Sequence, residues 1–456
     1  MNRQELLAVI ADENRVITEN IDEKYQSDVL GRIKGNAGAV VLPVSTEEVS
    51  RILNYANEKG IKVTPRGAGT NLVGSTVPTE GGIVLDLSRM NRVLEIDTDT
   101  LSAVVEPGVI LEDFQKQVEE LGLFYPPDPG EKIATIGGNI STNAGGMRAV
   151  KYGVTRDYVL GLEVVLADGE VVNLGSKNIK DSSGLSLKNL IIGSEGTLAV
   201  ITKCILKLVP KPETTISAVA AFPSLKDGIE NVLRIIQQNA NPTALEFVER
   251  KVLQLGEDYL GIRFPYENAE AYIILTFDGN ENEVRENAEK VGRLVKEQGA
   301  LDYLILEDEK TRNDVWKLRG VLVKAVEAIS EQEPVDIVVP IDKTAEYIQY
   351  VNQLEKELSV QIVSFGHAGD GNVHLCVVKG NRTEEQWKRE KHKVMSLIYK
   401  KAYELGGLTS GEHGIGLSKK EYFLAETKDE NLNVMRRVKR AFDEHCILNN
   451  HIAYNI

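Results

Sequence analysis

Six histidines occur in the 456 residues, and none precedes residue 367. Two of them sit in Phe365-Gly-His-Ala-Gly-Asp-Gly-Asn-Val-His374, and a third in Ser410-Gly-Glu-His-Gly-Ile-Gly416. Ile362-Val-Ser-Phe and Leu375-Cys-Val-Val read as strands, and Asp370-Gly371 between them is a strong two-residue hairpin signal. With those two residues as the turn, Gly369 pairs with Asn372, Ala368 with Val373 and His367 with His374. Cross-strand partners share a face with Cβ atoms roughly 4.5–5.5 Å apart, so two imidazoles meet on one side of the hairpin. A histidine pair alone is more often the mark of two core or turn side chains. Glu412, next to His413 in a second glycine-flanked loop, completes two histidines and a carboxylate, the ligand set of catalytic zinc and non-haem iron sites.

The elements that carry these residues fall into two patterns. In the first, Val40-Val-Leu-Pro43 is a strand, and Ser45 with Glu48 forms a capping box ahead of Val49, Ile52, Leu53 and Ala56 at helical spacing. Gly60 closes that helix. Further strands follow at Ile61–Pro65, Ile83–Leu87, Ala103–Glu106 and Val200–Leu208, with a hairpin about Asp168-Gly169. Val209-Pro-Lys-Pro212 is the clearest linker. Beyond it, helices over Leu225–Gln238, Glu281–Gln298 and Thr344–Leu358 alternate with strands at Tyr272–Phe277 and Asp336–Pro340. The expected packing there is helices on one face of an antiparallel sheet.

The bulk numbers bound the class. The length suits two or three domains, and 42% hydrophobic with 27% charged residues describes a soluble globular chain. No apolar run approaches the ~18 residues of a membrane span, and Met1-Asn-Arg-Gln-Glu-Leu has no signal-peptide pattern. Cys204, Cys376 and Cys446 are dispersed, which argues against a disulfide framework or an iron–sulfur cluster and fits a reducing cytoplasm. A net charge of −15 argues against nucleic-acid binding. The one basic cluster, Arg436-Arg-Val-Lys-Arg440, reads as a solvated helix face, with a docking patch for a partner as the lesser alternative.

Gly67-Ala-Gly-Thr-Asn-Leu72 is not a dinucleotide fingerprint. Leu72 stands where its third glycine belongs, and Val73-Gly-Ser-Thr-Val-Pro78 cannot continue as a helix. Glycine-rich loops still present backbone N–H groups that cradle anions. Three such segments (67–72, 137–146 and 193–197) suggest an elongated, diphosphate-containing cofactor threaded between them.

Pro65-Arg-Gly-Ala-Gly-Thr70, Ala134-Thr-Ile-Gly-Gly138, Asn143-Ala-Gly-Gly146, Tyr152-Gly-Val-Thr-Arg-Asp157 and Gly193-Ser-Glu-Gly-Thr197 resemble the FAD-binding segments of the vanillyl-alcohol-oxidase type. With Gly366–Asn372 and Gly411–Gly416, the chain resembles the branch of the glycolate oxidase large subunit and D-lactate dehydrogenase. The implied fold is α+β. A two-subdomain FAD-binding domain (1–210) precedes a substrate or cap domain with an antiparallel sheet (211–416) that carries the metal site. A C-terminal helical segment (417–456) packs back toward the FAD site. The implied FAD contacts in the first loop are Pro65, Arg66, Gly67, Ala68, Gly69, Thr70 and Asn71. The second contributes Thr135, Gly137, Gly138, Asn139, Ser141, Asn143, Gly145 and Gly146, and the third Glu195, Gly196, Val200 and Ile201. No histidine lies in that domain, so a covalent histidyl–FAD bond is excluded. Ala199 stands where relatives often carry glycine, and Ile447-Leu-Asn-Asn450 replaces the usual Leu-Asn-Pro, leaving Asn449 without an assigned role.

The implied reaction is oxidation of a 2-hydroxy acid to a 2-oxo acid, with hydride passing to flavin N5. A divalent ion (Zn, Fe or Mn) on His367, His374 and Glu412 binds the substrate oxygens and acidifies the hydroxyl. His413 is the candidate base, and Arg319 the carboxylate clamp, for which a planar fork is needed. Without the resemblance, Arg319 is a surface helix residue. Relatives acting on 2-hydroxyglutarate hold the distal carboxylate with polar groups, where this chain has Val323 and Pro334. That favours D-lactate over glycolate or D-2-hydroxyglutarate. Electrons would leave to an electron-transfer flavoprotein, an iron–sulfur subunit or another acceptor. A non-catalytic FAD electron-transfer subunit and a metal hydrolase are the competing readings.

Overall fold

The computed structural model describes residues 2–452. It divides into two compact units, the first made of 1–145, 154–211 and 412–456, the second of 146–153 and 212–411.

In the first unit, helix Thr46–Lys59 buries Val49, Ile52, Leu53 and Ala56, the four positions that repeat at helical spacing, the three larger side chains each worth about 1.5–3 kcal/mol. Ser45 caps it through the Glu48 N–H, and Gly60 ends it in the left-handed region. The Glu48 carboxylate accepts the Val44 N–H at 2.9 Å and pairs with Arg15, so the reciprocal half of the box is displaced by one residue. A four-stranded sheet runs in the order Val16–Ile17, Ala39–Val41, Ile83–Asp86, Val63–Arg66, with the last three parallel. A five-stranded antiparallel sheet orders Val93–Asp97, Ser102–Val105, Val200–Lys207, Val159–Val165 and Val171–Gly175.

The second unit is built on a seven-stranded antiparallel sheet. Its order is Asp302–Ile305, Thr214–Phe222, Ala271–Gly279, Ala244–Glu249, Ile362–His367, Asn372–Val378, Gln332–Val338. Helices cover both faces, not one. Val219, Ala221, Val248 and Phe365 pack with Val252, Leu318 and Leu322 of one helix group. Phe222, pointing the other way, lies against Gly228 of helix Leu225–Gln237. Strands such as Ala244–Glu249 are buried at every position, so neither face can be left to water.

The basic cluster is also corrected. Lys439 is buried, and its ammonium donates to the carbonyls of Thr197 and Leu448 and to Asp443. A charge removed from water needs such partners, so this face of helix Asp429–Phe442 seals the first unit.

Candidate active site

The histidine hairpin forms with a different register from the two-residue turn. His367 pairs with Asn372 and Phe365 with His374, leaving residues 368–371 as a four-residue connection. Asp370 donates its N–H to the His367 carbonyl and accepts that of Asn372. Gly371 (φ +78°) hugs the Val339 carbonyl, where a Cβ would stand 2.1 Å away. The Asn372 side chain donates to Asp336 at 2.8 Å and to the Ile337 carbonyl at 2.9 Å, drawing that residue into the strand. Because the shift is two residues, both imidazoles stay on one face, with ring centroids 5.0 Å apart.

Each imidazole has a buried carboxylate beside it. Glu246 is the strand partner of His367, and its Oε1 lies 2.7 Å from Nδ1. Asp336 is the strand partner of His374, with a carboxylate oxygen and a ring nitrogen within 4.8 Å. Asp336 also accepts from Ser410 Oγ at 2.7 Å and from the Gly411 N–H at 3.2 Å. Both acids were missed as site residues. The signal was present, since each is a carboxylate flanked by apolar residues within a strand (Ala244-Leu-Glu-Phe-Val and Val335-Asp-Ile-Val-Val), where an unpartnered charge is costly.

Arg319, on helix Glu309–Gly320, is buried and not a surface residue. Its Nε and Nη2 donate to Glu246 Oε2 at 3.0 and 2.6 Å, and its guanidinium lies over the Phe365 ring at 5.0 Å. Burial pushes the Glu246 carboxyl upward, but His367 and Arg319 outweigh it and hold it below the usual range. Val323 is exposed on helix Leu322–Ile329 and Pro334 is half-buried in strand Gln332–Val338.

In the first unit the three glycine loops pack on one another. A Cβ at Gly67 would meet Thr135 Oγ1 at 2.2 Å, and one at Gly196 would meet Pro65 at 3.3 Å. The N–H of Gly193 donates to Ile140 and that of Glu195 to Ser141. Thr135 caps the short helix Ile136–Thr142 through Gly138, and Asn143 ends it in the left-handed region. Pro65 and Arg66 end strand Val63–Arg66, where Arg66 is buried and bonds Thr76. Asn71 Oδ1 caps the N–H groups of Val73 and Ser75. Val200 and Ile201 open a strand of the five-stranded sheet. Gly146 begins the 146–153 segment, which the second unit holds through Lys151 and Tyr152 on Asp278.

Glu195 has a task that its motif does not advertise. Its carboxylate accepts from Ser75 Oγ and from the N–H groups of Ile415 and Gly416, both at 3.0 Å. Burial, outweighing these donors, pushes its carboxyl above the usual range. Gly414 and Gly416, both at positive φ, let this loop close on Glu195 and on the Val73 carbonyl. His413 is thereby fixed by its backbone, whose carbonyl accepts from Asn71 at 3.2 Å, while its Nε2 stands 4.0 Å from Glu412. Asn449 acquires a role as well, donating to the carbonyls of Ser75 and Glu195. Among the described residues no helix is long and apolar enough to cross a membrane.

Comparison with known proteins gives this arrangement a lineage. Residues 37–175 match the family described as FAD binding domain, and 211–452 that described as FAD linked oxidases, C-terminal domain. D-lactate dehydrogenase of Anaerostipes hadrus is 42% identical over 96% of this chain and 94% of its own. Glycolate oxidase subunit GlcD of Bacillus subtilis is 40% identical over 94% and 93%, and D-lactate dehydrogenase of Archaeoglobus fulgidus 41% over 90% of each. The fold is that of p-cresol methylhydroxylase (TM-score 0.81, 16% identity, 98% of this chain and 95% of that one). The 4-ethylphenol oxidase of Gulosibacter chungangensis is similarly close (TM-score 0.78, 19% identity, 99% and 96%). Sequence and fold together make this chain a member of the FAD-linked oxidases of the vanillyl-alcohol-oxidase type, in the family that holds the D-lactate dehydrogenases and the glycolate oxidase subunits.

Proposed function

We propose that the protein oxidises a small D-2-hydroxy acid, D-lactate foremost, to the 2-oxo acid, and passes the electrons to a partner or carrier. The observation that carries this reading is the pair of imidazoles 5.0 Å apart on one sheet face, each beside a buried carboxylate. A carboxylate at hydrogen-bond distance, as Glu246 is from His367 Nδ1, orients a metal-binding histidine, so the residues present suit a divalent ion, with His367, His374 and Glu412 as its ligands. The ion supplies Lewis acidity toward the substrate hydroxyl when bound. Fit to FAD is supported by the three interlocked loops and by Asn139 Nδ2, buried with no hydrogen-bond partner among the described residues. When bound, FAD supplies the hydride acceptor.

The chain's own side chains then have separate tasks. Arg319 binds the substrate carboxylate with the part of its fork not turned to Glu246. His413 takes the hydroxyl proton at its ring nitrogen. The loops at Pro65–Asn71, Thr135–Gly146 and Glu195–Ile201 hold the cofactor through backbone N–H groups. The absorption spectrum of the purified protein tests the whole. Flavin bands bleached by D-lactate under nitrogen are expected, whereas a colourless protein that cannot take up FAD would sink the proposal.

Two outcomes follow from particular positions. Gly67→Ala forces Thr135 Oγ1 away from a point 2.2 Å from the new Cβ. Overpacking of this kind costs about 1–3 kcal/mol, so to the extent that the strain is borne by the cofactor loops the Kd for FAD is expected to rise roughly tenfold, measured by titrating the apoprotein with FAD. For substrate choice, neither Val323 nor Pro334 offers a donor to a second carboxylate. A distal carboxylate kept from water without a partner costs several kcal/mol, so unless it reaches solvent, kcat/KM for D-lactate should exceed that for D-2-hydroxyglutarate by at least ~100-fold. Anaerobic flavin reduction with both acids, and with L-lactate, decides; parity with the dicarboxylate would show that another residue receives it.

A further inference from the structure

We infer that Glu246 is a positioning residue that sets two functional side chains from one carboxylate, fixing the tautomer of His367 and the orientation of the Arg319 fork. The inference rests on the functional reading above and extends it to a residue that no motif marks.

The geometry carries it. Glu246 is fully buried in the middle of a seven-stranded sheet, where a carboxylate is almost never found unless it is paired. Its two oxygens are divided between two partners. Oε2 takes both Nε and Nη2 of Arg319, at 3.0 and 2.6 Å. Oε1 faces Nδ1 of His367 at 2.7 Å. The guanidinium keeps the carboxylate ionised, and an ionised carboxylate only accepts. Nδ1 of His367 must therefore be the donor. In the neutral ring the proton is then on Nδ1 and not on Nε2, the tautomer in which a histidine ligates a metal through Nε2. The same carboxylate consumes one edge of the guanidinium and so decides which edge is left for a substrate. Burial of all three groups, with exposures of 0%, 7% and 9% for Glu246, His367 and Arg319, denies water the chance to substitute.

Glutamine at this position separates the roles. An amide has one acceptor oxygen, so E246Q serves either His367 or Arg319 and turns an N–H toward the other. The E246Q holoenzyme, with FAD content and far-ultraviolet circular dichroism as controls of folding, is treated with chelator and titrated with Zn²⁺ or Mn²⁺. Flavin reduction is then measured across D-lactate concentrations. The expected result is FAD retained, with either metal Kd weakened 10–100-fold or KM for D-lactate raised about tenfold beside a smaller change in kcat. Both parameters at wild-type values in E246Q would overturn the inference.

A second measurement on the unmutated protein does not depend on that variant folding. Nitrogen-15 histidine spectra, with His367 assigned by its loss in H367Q, report the tautomer directly. A proton on Nδ1 is expected; a proton on Nε2 with Nδ1 bare would also overturn the inference. If the wild-type protein binds FAD but no hydroxy acid reduces it, the functional reading fails, while the spectra still decide the role of Glu246.

Discussion

Removing the divalent ion, by chelation or by His374→Ala, is expected to slow flavin reduction by D-lactate at least ~10³-fold while FAD stays bound. The size follows from the job assigned to the metal. Lewis-acid stabilisation of a developing alkoxide is worth several kcal/mol, and each ~1.4 kcal/mol is a factor of ten. Retention of FAD follows from placement. His374 belongs to strand Asn372–Val378 of the second unit, and the glycine loops proposed to hold the cofactor belong almost wholly to the first. The check is stopped-flow reduction of protein whose metal content is known from elemental analysis. A metal-free preparation reduced at the wild-type rate would remove the ion from the mechanism.

His413→Asn is expected to retain metal and FAD and to slow the same step by about 10²–10⁴-fold, the usual contribution of a positioned base. Asparagine suits the test because the loop is held by its backbone. Glu195 grips Ile415 and Gly416, and Asn71 grips the His413 carbonyl, so the ring can change without releasing the loop. The kcat of the variant should fall much more than its KM rises. Reduction at nearly the wild-type rate would pass the proton-accepting role to solvent.

Much of the scaffold was legible because it depends on local rules. Helices Thr46–Lys59 and Thr344–Leu358 announce themselves by apolar spacing, and the first also by Ser45 and Gly60. The register of the histidine hairpin was not legible. It is set by Asn372 bonding Asp336 and by Gly371 against Val339, contacts with a strand more than thirty residues away. Lys439 failed for the same kind of reason. Four basic residues in five look solvated, and nothing local reveals that one of them meets the carbonyls of Thr197 and Leu448. Arg319 was named only through the family resemblance and Glu246 was missed, because their pairing joins residues 73 positions apart. Local chemistry was readable; partners brought together by the sheet were not.

The first unit is discontinuous, and this has a consequence for how the protein is made. Strand Val63–Arg66 lies at the edge of its sheet and is bridged there by Leu448, while the Lys62 ammonium reaches the Cys446 carbonyl 384 positions away. Ile447 and Leu448 are also members of that unit's core. At a synthesis rate of roughly 5–20 residues per second, the intervening Pro212–Gly411 stretch imposes a wait of about 10–40 s before those residues exist. During that time the nascent chain carries an open strand edge and an unfilled core, the two features that invite wrong association. The second unit, an uninterrupted run apart from eight residues, is complete before then. The order of assembly is thus written into the connectivity: the part of the chain that emerges first is the last to be finished.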